Sequence, residues 1–203
     1  MARAGVSVIA ALYVDALSGP YPRIVGVECW SGIHRQMPLL AMNSERDAML
    51  YSGPFPVVAH PPCGHWGRWR RRCKQPTSWA TAGLVAFRQV RKFGGVLEHP
   101  AYSTLWDAVS APKPGDVDEF GGWTLQVNQT SWGHPCKKPT WIYVSGVRPA
   151  DMPKVPAESP ATHCMVRLIR NGHELPELPK ARRHLTPPLF AHWLVECARR
   201  AVK

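Results

Sequence analysis

The chain has 203 residues, 45% of them hydrophobic and 19% charged, a length that suits one domain with a real core and a composition that excludes a disordered chain. Twenty-five Lys and Arg against 14 Asp and Glu leave a formal charge of +11, which predicts a polyanionic partner, nucleic acid first among them. Six cysteines lack the density and spacing of a secreted disulfide framework, so the thiols are expected free in a reducing, cytoplasmic setting.

The first apolar run, "VSVIAALYV" (6–14), is β-branched and reads as a buried strand; it is too short for a signal peptide or a membrane span. "RIVGVECW" (23–30) reads as a second strand, and "SERDAML" (44–50) as a short helix with a serine cap. "FPVVAH" (55–60) is a strand that empties into Pro61-Pro62. In 77–95, helical spacing puts Trp79, Leu84, Phe87 and Val90 on one face, with Gly94-Gly95 as the stop. "GVLEH" (95–99) is another strand, and 110–122 a loop without periodicity. "WTLQVNQ" (123–129) alternates like a strand, and "TWIYVSG" (140–146) forms its hairpin partner or neighbour. Residues 147–183 are rich in Pro, Arg and Lys, and 186–202 form an amphipathic helix opened by Thr186 and two prolines. Strand and helix in alternation predict an α/β fold, a Rossmann-like three-layer sandwich on a mostly parallel sheet, spanning 1–203 as one domain.

Three His-Pro steps punctuate this pattern, at His60, His99 and His134, two with a cysteine close behind. In a parallel sheet the ligand crevice lies outside the carboxyl ends of the strands, where His60, Cys63, Glu98 and His99 are expected. Cys63 precedes Arg68, Arg70, Arg71 and Arg72, whose charge predicts a lowered thiol pKa and a nucleophilic thiolate. Burial at a strand end predicts that Glu98 is held protonated as an acid. Lys137 and Lys138 suit phosphate contacts. Among the tryptophans, Trp66, Trp69 and Trp132 are the candidates to stack on bases.

Pro-Pro-Cys after an apolar strand, Glu in "LEHP", the segment 127–146 and the Pro-Pro start of the final helix occur in the order found in cytosine-C5 DNA methyltransferases, which the chain resembles from about 55 to 200. It is also similar to small phage and prophage proteins that carry the same set. The resemblance implies a reduced methyltransferase-like fold in which Cys63 attacks C6 of a pyrimidine and Glu98 holds the N3 edge. The base would be flipped out of duplex DNA or presented single-stranded. S-adenosylmethionine is the implied methyl donor, with Glu28 as the acidic residue on its ribose. Against the family pattern, no glycine-rich donor loop follows the first strand. Lys138 and Thr140 stand where paired arginines are expected, and 147–185 is all that replaces a target-recognition domain.

Two other readings fit the same residues. His60, His99 and His134 converging at the strand ends, with Cys63, His65 or Cys73 nearby, would hold a catalytic metal ion for base hydrolysis or deamination. A structural zinc site is not expected, because no CxxC pair exists. The last reading is a non-catalytic phage DNA-binding protein that keeps the scaffold without the chemistry.

Overall fold

The computed structural model describes residues 7–31, 46–166 and 175–201. Short apolar runs too small to shield themselves pair into a six-stranded sheet among these residues. Its strands are β1 (Ile9–Leu12), β2 (Val27–Trp30), β3 (Val57–Ala59), β4 (Gly95–Pro100), β5 (Trp123–Asn128) and β6 (Pro139–Ser145). The order across the sheet is β2-β1-β3-β4-β6-β5. β2, β1, β3 and β4 pair in parallel, β6 runs antiparallel to β4, and β5 antiparallel to β6. The described helices are α1 (Ser78–Phe93), the single turn α2 (Leu105–Ala108) and α3 (Pro188–Arg199). The fold is thus mixed α/β on a mostly parallel sheet, compatible with a Rossmann-like arrangement, and no described helix is long and apolar enough to cross a membrane.

Successive side chains of a strand point to opposite faces, so two apolar layers form. Ile9, Ala11, Val58, Val96, Ile142 and Val144 pack on the side of α3, against Phe190, Leu194 and Ala198. Ala10, Leu12, Val57, Ala59, Leu97 and Tyr143 pack on the side of α1, against Ala82, Ala86, Phe87 and Val90. The spacing expected of α1 is therefore shifted: Leu84 and Trp79 are only half-buried, and small residues take the closest positions. Between α1 and β4 the chain turns through Gly94 (φ 77°) and Gly95 (φ 110°). A Cβ on Gly95 would stand 2.0 Å from the Val57 carbonyl oxygen, so only glycine lets β4 lie beside β3 there.

Several local expectations are corrected. The helix expected at 44–50 is a 3-10 turn, Ala48–Leu50, capped by Asp47 accepting from the Met49 N–H at 2.8 Å; Ser44 lies outside the described residues. Thr186 does not cap α3, whose first residue, Pro188, follows Pro187 without a side-chain cap. The aperiodic loop 110–122 is anchored by Asp118, which accepts from Arg91 and from the Tyr143 hydroxyl, each at 2.8 Å.

Candidate active site

Because β6 runs against β4, its first residues lie at the same sheet edge as the carboxyl ends of β3 and β4; Thr140 pairs with Pro100. β5 ends there too, its Asn128 opposite Pro139. The edge thereby gathers His60, Glu98, Gln129 and Thr140 into one network. His60 Nδ1 lies 3.0 Å from Glu98 Oε2, and Gln129 Nε2 donates to Glu98 Oε1 and to Thr140 Oγ1, each at 3.0 Å. Thr140 Oγ1 in turn donates to the Lys138 carbonyl at 3.0 Å. On its other side His60 Nε2 meets the Tyr21 hydroxyl, and burial, followed by the charge of Glu98, keeps that phenol protonated.

The Glu98 carboxylate departs from expectation in its titration. Burial, the largest influence, pushes it up, but the His60 hydrogen bond and charge, with Lys138 and His99, outweigh burial and hold it down at about 2. Glu98 is therefore an ionised acceptor with both oxygens partnered, not a protonated acid. Cys63 is the mirror case. Burial among surrounding protein atoms and the charge of Glu98 push its thiol up, opposed by Lys138, although the residue itself is exposed. The expected thiolate is corrected to a thiol. The Arg68–Arg72 guanidiniums project into solvent and do not act on the sulfur, whereas the carboxylate does. The charges of Glu98 and Lys138 both act on the Cys63 thiol, in opposite directions.

The three histidines do not converge. His99 follows Glu98 on β4 and so turns to the opposite face, fully buried, edge-on to Trp106 at 5.9 Å between ring centres. Burial pushes it down to about 4, so it is neutral, and the Pro62 carbonyl approaches it without completing a hydrogen bond. His134 is buried at the start of the 134–136 turn, its Nδ1 accepting from the Cys136 N–H at 3.1 Å. Burial holds it below the ordinary imidazole value as well. Both are corrected from catalytic candidates to structural side chains, leaving His60. His65 Nε2 is engaged by the Gln75 and Pro76 carbonyls at 3.1 and 2.9 Å. Among the described residues no group of three or more His, Cys, Asp or Glu is placed to hold a metal ion.

Around this centre the basic residues stay at the surface. Arg68, Arg70, Arg71, Arg72 and Lys137 are exposed. Lys138 is half-buried, tied by its backbone N–H to Asn128 Oδ1 at 3.0 Å. The tryptophans divide. Trp66 is corrected from a nucleic-acid contact to a brace, its indole N–H donating to the Ala80 carbonyl of α1 at 3.1 Å. Trp132 is core, packed on Phe190 and Trp193. Trp69 alone of the three is open to solvent, at 59%.

A nucleotide-like donor finds a poor cradle in the described residues. The Leu17 and Ser18 N–H groups after β1 are already consumed by Asp15 Oδ1 at 2.9 and 3.0 Å. Gly19, next in that turn, sits so close that a Cβ would stand 2.6 Å from the Asp15 carbonyl oxygen. Glu28 lies two residues before the end of β2 and faces Arg46 at 3.8 Å. These residues do not fit S-adenosylmethionine as the resemblance implies it. A shallow groove of about 380 Å³ between Val117, Phe120, Trp123 and Val147 lies at the opposite end of β6 and shares nothing with this site.

Sequence reasoning missed Tyr21, Gln129 and the active part of Thr140. Gln129 closes the alternating strand 123–129 and carried a signal only in being a buried amide at a strand end; its Oε1 remains buried without a partner. Tyr21 carried none, because its approach to His60 depends on how the loop after β1 folds. No protein-family model matches the chain, and no curated protein matches it.

Proposed function

We propose that the protein modifies a pyrimidine base of DNA by adding the Cys63 sulfur to C6 of the ring. The observation that carries this reading is the placement of Cys63 three residues beyond His60, whose imidazole leaves the end of β3 and lies 3.0 Å from Glu98 on the adjacent parallel strand β4. On attack the S–H bond breaks and its proton passes to water while the sulfur pair forms the bond to C6. The C5–C6 π pair moves onto C5 and the ring, N3 takes up a proton from water, and the ionised Glu98 accepts from the N3–H and so stabilises the protonated ring. His60 and Gln129 hold the carboxylate in place throughout, and Tyr21 fixes the His60 ring. C5 is then an enamine carbon open to an electrophile, whose identity is left unassigned. The resemblance to cytosine-C5 methyltransferases supports a pyrimidine, and the exposed arginines beside the Cys63 loop support a phosphate backbone.

A second reading is favoured by the Tyr21–His60–Glu98 chain. Its His60–Glu98 pair has the form of a general base oriented by a carboxylate, and it would serve base hydrolysis or deamination without the thiol. Mass spectrometry of nucleosides from cells expressing wild type, Cys63→Ser and His60→Gln separates the two. The proposal expects a new pyrimidine nucleoside with wild type and none with Cys63→Ser. Full activity in Cys63→Ser with loss in His60→Gln would move the chemistry to the histidine. No altered nucleoside from wild type would overturn both.

A further inference from the structure

We infer that Trp69 is a stacking platform for an unpaired base of single-stranded DNA next to the reacting nucleotide; this rests on the DNA reading above. The loop between β3 and α1 is built by consecutive backbone turns. The Cys63 carbonyl accepts from the N–H groups of Trp66 at 3.1 Å and Gly67 at 2.7 Å, the Gly67 carbonyl from Arg70, and the Trp69 carbonyl from Arg72. It is closed at its base by His65 on the Gln75 and Pro76 carbonyls. A Cβ on Gly64 would strike Gln75 and Cys73, so the two arms press together there. Trp66 braces the loop on α1, and Thr104 N–H ties it to the segment after β4 through the Trp66 carbonyl at 2.9 Å.

The surface of this compact loop is basic, with Arg68, Arg70, Arg71, Arg72 and Lys74 exposed, and one large apolar side chain stands among them. Trp69 holds its ring out at 59% exposure, with Arg68 and Arg72 at 6.0 and 5.4 Å from the ring centre. Those separations are at the outer limit of cation–π contact, so the ring face stays accessible while two cations stand beside it. A large exposed aromatic gains little for folding, and the two flanking guanidiniums have no acidic partner among the described residues. Among common partners, a base with its own phosphates matches both features, because the π-face stacks and the charges pair. Base pairs inside a duplex keep their faces covered, which makes the fit one for an unpaired strand. Gly67 touches the Cys63 carbonyl and Trp69 is two residues on, a chain reach of roughly 7 Å. The stacked base is therefore within a few nucleotides of the one at Cys63.

The test is binding of the full-length protein to labelled dT15, to a 15-mer duplex and to a 15-mer of abasic sites, followed by anisotropy at fixed salt. Wild type should prefer dT15 to the duplex. Trp69→Ala should bind dT15 on the order of five- to 150-fold more weakly, Trp69→Phe should recover most of the loss, and both should match wild type on the abasic strand. Thermal melting of Trp69→Ala, expected unchanged for so exposed a residue, guards against a folding defect. Equal binding of dT15 by wild type and Trp69→Ala would overturn the stacking inference while leaving the DNA reading intact. Tighter binding of U15 than dT15 would overturn the choice of DNA. Wild type that binds none of the strands would overturn both this inference and the reading it rests on.

Discussion

Glu98→Gln replaces the carboxylate by a neutral amide of the same shape, a close mimic of protonated Glu98. His60 and Glu98 have side chains only 12% and 13% exposed, so solvent screens their interaction little. The carboxyl group is displaced from 4.5 to about 2, a value that already includes the opposing effect of burial. That displacement corresponds to about 3 kcal/mol in favour of the ionised form at neutral pH, to order of magnitude. A depressed carboxylate stabilises the fold above its unfolded pKa, and the contribution is lost as pH falls through the folded one. The stability gap between wild type and Glu98→Gln should thus be about 3 kcal/mol at pH 7, fall to roughly half near pH 3, and vanish towards pH 2. Urea unfolding at a series of pH values measures it. A gap that is the same at pH 3 and pH 7, or no gap at pH 7, would refute the assignment of Glu98 as a paired carboxylate.

The same charge acts on the thiol, so mass-spectrometric rates of Cys63 alkylation should climb with pH past 9 in wild type, and Glu98→Gln should be alkylated faster at pH 8. Unchanged rates in the variant would mean that Glu98 does not act on the sulfur. Replacing Arg70, Arg71 and Arg72 by alanine should weaken DNA binding on all sequences alike and flatten the log–log salt dependence, by about 0.9 for each duplex phosphate that is no longer neutralised; a salt titration of affinity reads this. Gly95→Ala forces a side chain into φ 110° and onto the Val57 carbonyl, and should cost on the order of 3 kcal/mol or more in urea unfolding.

Much of the scaffold is legible in local pattern. The apolar run at 55–60 contains β3, that at 95–99 covers all of β4 but Pro100, and the helical spacing of 77–95 ends at Gly94 as the glycine pair requires. The alternation in 123–129 marks β5 and the run 140–146 most of β6, whose antiparallel pairing follows from a short connection. What local pattern does not carry is which strand lies between which. The insertion of β6 between β4 and β5 is a tertiary outcome, and it is what delivers Thr140 and Gln129 to Glu98.

The same limit governs the site. Cys63, Glu98 and His60 are visible in the sequence because strand ends open into the crevice of a parallel sheet. His99 is misread there because strand alternation, applied one residue past Glu98, turns it away from the crevice. His134 resembles His60 in its His-Pro setting, yet its imidazole closes a local turn on Cys136, as short loops often require of a polar side chain. Charges mislead in the other direction. Sequence proximity puts four arginines beside Cys63, but long exposed side chains reach into water, and the charge that acts most on the thiol is a carboxylate from the adjacent strand.

Covalent addition at C6 has a consequence that needs no transferred group. While the sulfur is attached, C5 takes up a solvent proton, and reversal of the addition releases the hydrogen originally there. Incubating the protein with single-stranded DNA tritiated at cytosine C5 and measuring label released to water therefore tests the central claim directly. Release by wild type, abolished in Cys63→Ser and strongly reduced in Glu98→Gln, is the predicted result. Retention of all label by wild type, or equal release by Cys63→Ser, would contradict it.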